Sequence, residues 1–259
     1  MTVEFISVPA KSTHSATIIL VHGLGDSGHG LKSLALQLQA KGLVHCKFIL
    51  PSAYAPFALA FRALTHASSP SPIRAITANS GRRMPAWYDV KAFTPASPDD
   101  EAQMLESLAS IEELVAAEAD AGTPLERIVV GGFSQGATLS LLLGLVSAKR
   151  VRGVVVLSGR LPLRDAASQY PKLKELATPH ATSKSMPIFW AHGVADPLIT
   201  HQLALSSIEF LTSVLGVQKS VTNNDDINGL TFRSYPNLGH SIDEQEISDL
   251  TVWLHRALP

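Results

Sequence analysis

Short apolar runs rich in β-branched residues alternate with longer stretches of helical apolar spacing along most of the chain. Thr17 to Val21, Cys46 to Leu50, Arg127 to Val130, Val151 to Leu157, Pro187 to Gly193 and Leu230 to Tyr235 read as strands, several of them apolar at almost every position. Strands of that kind are buried on both faces, as in a parallel sheet. Between them, Leu31 to Ala40 shows helical spacing, and a second helix opens on Asp99, Asp100 and Glu101. Acidic residues suit a first turn because they face the positive end of the helix dipole. Met104, Leu105, Leu108, Ile111, Leu114 and Val115 then form one apolar face before Gly122 ends the helix. Ala137 onward is apolar on every side, and a last helix covers Asp243 to Arg256. The alternation predicts an α/β fold with a mostly parallel central sheet and helices on both faces.

One stretch departs from the pattern. From Ser52 to Ser80 the chain is rich in Ala, Ser and Pro with no sustained period, although Phe57 to Leu64 could make a helical turn or two. An irregular segment of that length is unusual inside a compact domain and suggests a lid or an insertion. With strand and helix otherwise alternating from end to end, residues 1–259 are read as one domain.

The turn between Val130 and Ala137 carries the candidate chemistry. Gly132-Phe133-Ser134-Gln135-Gly136 matches Gly-x-Ser-x-Gly between a strand and a helix. There small residues let strand and helix approach closely, forcing the serine into a strained, exposed turn. The surrounding strand and helix are the context that the motif demands; without them Ser134 would be an incidental residue of a glycine-rich turn. Gly131 and Gly132 are expected to break the strand.

A second glycine-rich loop, His22 to Gly30, follows the first long strand. Gly23, Gly25 and Gly28 spell the dinucleotide-binding pattern Gly-x-Gly-x-x-Gly, but no Asp or Glu occurs between Asp26 and Asp89 to hold a ribose. The better reading is an oxyanion loop, in which the backbone N–H of Leu24, with that of Gln135, stabilises a developing negative charge.

A serine nucleophile of this type is followed in the chain by an acid and then a histidine, each on a loop at the carboxyl end of a strand. Asp196 follows Pro187 to Gly193, and His240 follows Leu230 to Tyr235. Asp165, Glu175, Glu209, Asp225 and Asp226 are less well placed, in helical, irregular or hairpin-like stretches. Asp196 could instead initiate a turn or cap a helix, since Asp-Pro favours turns. His22 and His192 precede the acid and read as loop-supporting groups; His201 and His255 fall within helices.

Charge and cysteine content narrow the partners. Lys and Arg number 21 against 22 Asp and Glu, with no basic stripe, so neither nucleic acid nor an anionic membrane is an expected partner. Cys46 is the sole cysteine, which excludes an intrachain disulfide and fits a reducing compartment. No basic-then-apolar leader opens the chain and no apolar run is long enough to span a bilayer, so a soluble cytosolic protein is expected. No metal or cofactor is called for.

Taken together, His22-Gly23-Leu24-Gly25-Asp26, Met84-Pro85-Ala86-Trp87-Tyr88-Asp89, Gly132 to Ala137, Leu157-Ser158-Gly159, His192-Gly193 with Asp196-Pro197-Leu198-Ile199, and Gly239-His240-Ser241 resemble the acyl-protein thioesterase and carboxylesterase family of the α/β-hydrolase fold. The resemblance spans nearly the whole chain. It implies a serine esterase or thioesterase with Ser134, Asp196 and His240 as triad, Leu24 and Gln135 as oxyanion donors, and substrate contacts at Trp87 and Leu198. It also implies an S-acylated protein or a small acyl ester as substrate, with no cofactor. A monomer or weak homodimer is expected, in the cytoplasm with the nucleus also open. Alternatives are a carboxylesterase or lysophospholipase acting on small esters or lysolipids, and an inactive hydrolase-fold binding protein. Against the family pattern, roughly residues 54–71 look inserted, as a lid or as a translated intron.

Overall fold

The computed structural model describes residues 3–52, 73–94, 97–165, 169–179, 186–220 and 227–259. The segment read as an insertion, 54–71, lies outside them, as does the helical turn expected near Phe57 to Leu64. The strands are β1 (Phe5–Val8), β2 (Ala16–Val21), β3 (Cys46–Pro51), β4 (Ile73–Ile76), β5 (Arg82–Pro85), β6 (Ile128–Phe133), β7 (Gly153–Leu157), β8 (Ile188–Gly193) and β9 (Leu230–Tyr235). The helices are α1 (Lys32–Ala40), α2 (Glu101–Asp120), α3 (Gln135–Val146), α4 (Pro171–Leu176), α5 (His201–Ser213) and α6 (Glu244–Ala257).

Seven strands form one sheet in the order β1-β3-β2-β6-β7-β8-β9, parallel except for β1, which runs against β3. β4 and β5 form a separate antiparallel hairpin. The period of two along the central strands divides the core. Ile19, Val21 and Val130 face one layer with residues of α2, α3 and α5, while Ile18, Leu20 and Val129 face the other with α1 and α6. This is the expected sheet with helices on both faces. Helix α3 lies innermost: every residue from Gln135 to Leu145 is buried, which is why its sequence shows no polar face.

Side-chain caps start three helices. Asp100 accepts from Gln103 N–H, Thr200 from Leu203 N–H and Asp243 from Glu246 N–H, each satisfying a donor the first turn leaves unpaired. Because neighbouring strands are parallel and in register, their carboxyl ends share one edge. Val21 pairs with Gly132, Phe133 with Leu157, and Gly193 with Tyr235. The loops after β2, β6, β7, β8 and β9 therefore open on the same side, where ligands of open α/β sheets bind.

One expectation is corrected. Gly131 and Gly132 do not break β6, which runs on to Phe133. A Cβ on Gly132 would lie 2.3 Å from the Val21 carbonyl oxygen, and one on Gly131 would lie 2.6 Å from Val155 Cβ, so these glycines let neighbouring segments close up. The short strands β1, β4 and β5 had no sequence signal, being either at the sheet's edge or, like Arg82–Pro85, polar.

Candidate active site

Ser134 sits between β6 and α3 with φ 55° and ψ −115°, a region a non-glycine residue adopts only when its surroundings impose it. Its N–H is held by the Leu157 carbonyl at 2.9 Å, and its own carbonyl accepts from Thr138 N–H at 3.0 Å. The close approach is absolute on the helix side as well. A Cβ at Gly136 would fall 2.1 Å from the Val21 carbonyl oxygen, so any other residue there would push α3 off β2. The strain leaves the serine side chain projecting into a cleft of ≈ 430 Å³.

His240 reaches Ser134 from the loop after β9. Its Nε2 lies 2.8 Å from Ser134 Oγ, and its Nδ1 lies 2.7 Å from Asp196 Oδ2. A carboxylate can only accept, so Nδ1 carries the hydrogen and Nε2 is left to accept from the serine hydroxyl. Phe133 packs on the imidazole with ring centroids 4.8 Å apart, restricting its rotation. Burial pushes the Asp196 carboxyl up, but the hydrogen bond from His240, the amides of Leu198 and Ile199 and the charge on the imidazole outweigh it, leaving it below the usual carboxylate range. The two oxygens of Asp196 have different partners. Oδ1 closes a turn by accepting from Leu198 and Ile199 N–H at 2.8 and 2.9 Å, and Oδ2 faces His240.

The acid and histidine loops are packed backbone to backbone. A Cβ at Gly193 would meet the Leu238 carbonyl oxygen at 2.2 Å, and Ala195 N–H donates to that carbonyl at 3.0 Å. His192 supports the acid loop from beneath, donating from Nε2 to the Ile199 carbonyl at 2.7 Å. Burial lowers its pKa, which favours the uncharged ring.

Leu24 and Gln135 both line the cleft beside Ser134. The Gln135 N–H stands at the first position of α3, where a helix offers no internal acceptor, and no acceptor for Leu24 N–H occurs among the described residues. The loop carrying Leu24 is fixed by Gly25 N–H, which donates to the Pro85 carbonyl at 2.8 Å, so the glycine pattern that mimics a dinucleotide site instead shapes this wall.

Trp87 is not where a substrate contact was expected. It is wholly buried, off the cleft, because its indole Nε1 donates to the His22 carbonyl at 3.0 Å and its backbone N–H to Gln135 Oε1 at 2.8 Å. It underpins the loop that carries Leu24. Its neighbour Tyr88 does border the cleft, and its carbonyl accepts from Gln135 Nε2 at 2.7 Å. Leu198 lines the cleft as expected and is 55% exposed, with Phe93, Ile199 and Leu203 adding apolar wall. Residues the motifs did not single out complete it, among them Asp99, Arg160 and Arg164. Only the chemistry of Ser158-Gly159-Arg160 next to a strand end could have drawn attention to one of them.

A strained serine hydrogen-bonded to a histidine that a carboxylate holds, opening on one cleft, defines a serine hydrolase of the α/β-hydrolase fold. The chain belongs to the phospholipase/carboxylesterase family, whose model matches residues 2–60 and 58–258 and divides inside the segment read as inserted. It is 36% identical over 259 residues to acyl-protein thioesterase 1 of Cryptococcus neoformans, covering 98% of both chains. Among solved structures it resembles SOBER1 of Arabidopsis thaliana, with TM-score 0.75 and 28% identity, covering 95% of this chain and 100% of that one. It also resembles acyl-protein thioesterase 2 of Zea mays, with TM-score 0.71 and 26% identity over 99% of each.

Proposed function

We propose that this hydrolase cleaves acyl thioesters of S-acylated proteins, with Ser134 as nucleophile, His240 as general base and acid, and Asp196 as the group that orients His240. The observation that carries the reading is the continuous hydrogen-bonded line from Ser134 Oγ through His240 to Asp196, at 2.8 and 2.7 Å, opening on a partly apolar cleft. Relatives named acyl-protein thioesterase support the thioester as the scissile bond.

In the first step Ser134 Oγ forms a bond to the thioester carbonyl carbon while its proton passes to His240 Nε2. The imidazolium that results is stabilised by Asp196, already ionised because its pKa is depressed. The carbonyl oxygen, now negative, turns toward the Leu24 and Gln135 amides, which are held in place before the charge develops. Collapse breaks the C–S bond, and His240 returns its proton to the leaving sulfur, giving a thiol and an acyl-serine. A water molecule, deprotonated by His240, attacks the acyl-serine by the same route and releases the carboxylic acid, restoring Ser134. No step calls for a metal or a redox group.

Among the described residues no helix is long and apolar enough to cross a membrane. Hydrolysis of a palmitoylated peptide thioester, followed as free thiol, tests the reading together with fluorophosphonate labelling. The native chain should turn over the thioester and label at Ser134, and Ser134→Ala should do neither, losing roughly 10⁶-fold in kcat. Labelling with hydrolysis of oxyesters alone would move the assignment to a carboxylesterase or lysophospholipase, and absence of both would leave an inactive binding protein.

A further inference from the structure

One wall of the cleft carries a charge imbalance that hydrolysis of a neutral acyl chain does not use. Asp99, Arg160 and Arg164 all line it, two guanidinium groups against one carboxylate. Asp99 is fully engaged. Its Oδ1 accepts from Arg160 Nη2, and its Oδ2 accepts from Arg160 Nη1 at 2.9 Å and from the backbone N–H of Arg164 at 3.0 Å. This bidentate pairing raises the Arg160 pKa although burial opposes it, and it stitches the loop after β7 to the loop before α2.

The Arg164 guanidinium makes no ion pair among the described residues. It is 5% exposed, donates one hydrogen bond from Nη2 to the Ser97 carbonyl at 3.0 Å, and its Nε is buried with no acceptor among the described residues. No carboxylate lies within ion-pair distance among those residues, and the cleft's other two acids are held elsewhere. Asp26 accepts from Ser27 N–H at 2.7 Å, and Asp89 accepts from Thr77 N–H and Oγ1 at 2.8 and 2.6 Å. Burial, and then the charge of Arg160, work against the Arg164 cation and outweigh the support it draws from Tyr170 and Asp99. A buried cation without an ion pair costs free energy that a partner anion would recover; of the cleft's other charged groups, Lys91 is positive and Asp26 and Asp89 are negative.

We propose that Arg164, positioned by the Asp99–Arg160 pair, is a specificity-determining residue that takes an anionic oxygen group of the ester substrate while the scissile carbonyl lies at Ser134. The proposal rests on the serine hydrolase reading and sharpens it. The preferred substrate carries a carboxylate or phosphate, and the anion belongs either to the acyl group or to the leaving group. A guanidinium offers two parallel N–H donors to such a group, and a charge-assisted bond of this kind corresponds to roughly a 10- to 100-fold preference.

Two matched substrate pairs separate the sources. On the acyl side, the hexanoyl thioester of N-acetylcysteamine is compared with its 5-carboxypentanoyl counterpart; on the leaving-group side, a monoacylglycerol is compared with its phosphate ester, a lysophosphatidate. In one pair the anionic member should have the higher kcat/KM by about tenfold or more. That preference should collapse in Arg164→Gln and persist in Arg164→Lys, chiefly through KM. Equal turnover within both pairs by the native enzyme overturns the proposal whatever the variants do, so it stays testable even if Arg164→Gln fails to fold. A preference that survives unchanged in a folded Arg164→Gln overturns it as well. Loss of turnover on all four substrates together with loss of fluorophosphonate labelling of the native chain would instead remove the hydrolase reading beneath it.

Discussion

Glu246→Gln should change how stability depends on pH, and the size of the change follows from where the carboxyl lies. Glu246 is the third residue of α6, the helix that begins just after the His240 loop, and its side chain is fully buried. In a capping box the acid at this position reaches back to the N-cap N–H; here the Asp243 N–H pulls the carboxyl pKa down but does not outweigh burial, and neither Glu246 oxygen makes a hydrogen bond of normal geometry among the described residues. Burial, reinforced by the charge of Asp243, pushes its carboxyl from the ordinary 4.5 up to about 8. In the unfolded chain the group gives up its proton near 4.5; in the folded chain it keeps the proton until about 8. Its contribution to stability is therefore full below the lower value, falls as pH rises through the window, and levels off above the upper one. At about 1.4 kcal/mol per unit of pKa difference, the loss by neutral pH is roughly 3 kcal/mol, with about 5 kcal/mol as the ceiling across the whole window. Glutamine resembles the protonated acid in shape and cannot ionise. Urea unfolding of both proteins, at steps from about pH 5 to about pH 9, gives the difference free of the other titrating groups. The two should be nearly equal at the acid end, with Glu246→Gln ahead by a few kcal/mol near pH 8. Stability curves that stay parallel would show that the native carboxyl is not held neutral and would refute the reasoning.

Asp196→Asn should keep the fold, since an amide oxygen can still accept from Leu198 and Ile199 N–H, but kcat should fall by about 10⁴-fold because the wrong tautomer of His240 is favoured; steady-state kinetics on a thioester checks this, and a loss under tenfold would remove Asp196 from the triad. Gly132→Ala should destabilise by roughly 2–4 kcal/mol or prevent folding, because its Cβ would meet the Val21 carbonyl oxygen at 2.3 Å, with backbone on both sides unable to give way; thermal unfolding measures it, and an unchanged Tm would contradict the close packing of β2 on the elbow.

The sequence by itself determined the elements that depend on local pattern and the order in which chemistry appears along the chain. Runs such as Ile18 to Val21 and Val154 to Leu157 are short, rich in β-branched residues and apolar at consecutive positions, as strands buried on both faces require, and Gly132-Phe133-Ser134-Gln135-Gly136 identifies its turn because small residues there have a steric purpose. The order of Ser134, Asp196 and His240 was legible for the same reason: each follows a strand, and parallel strands bring their carboxyl ends to one edge. Tertiary structure alone decided what meets what across that edge. Trp87 is an aromatic beside a proline in the sequence, equally suited to a groove wall or a core, and only the packing of β5's exit under His22 buries it and turns Tyr88 to the cleft. Arg160 and Arg164 sit in an unremarked loop, and Asp99 reads as a helix-start acid; their meeting joins segments some 60 residues apart. No periodicity encodes such a contact, because charge pairing between loops depends on distances that the sheet sets.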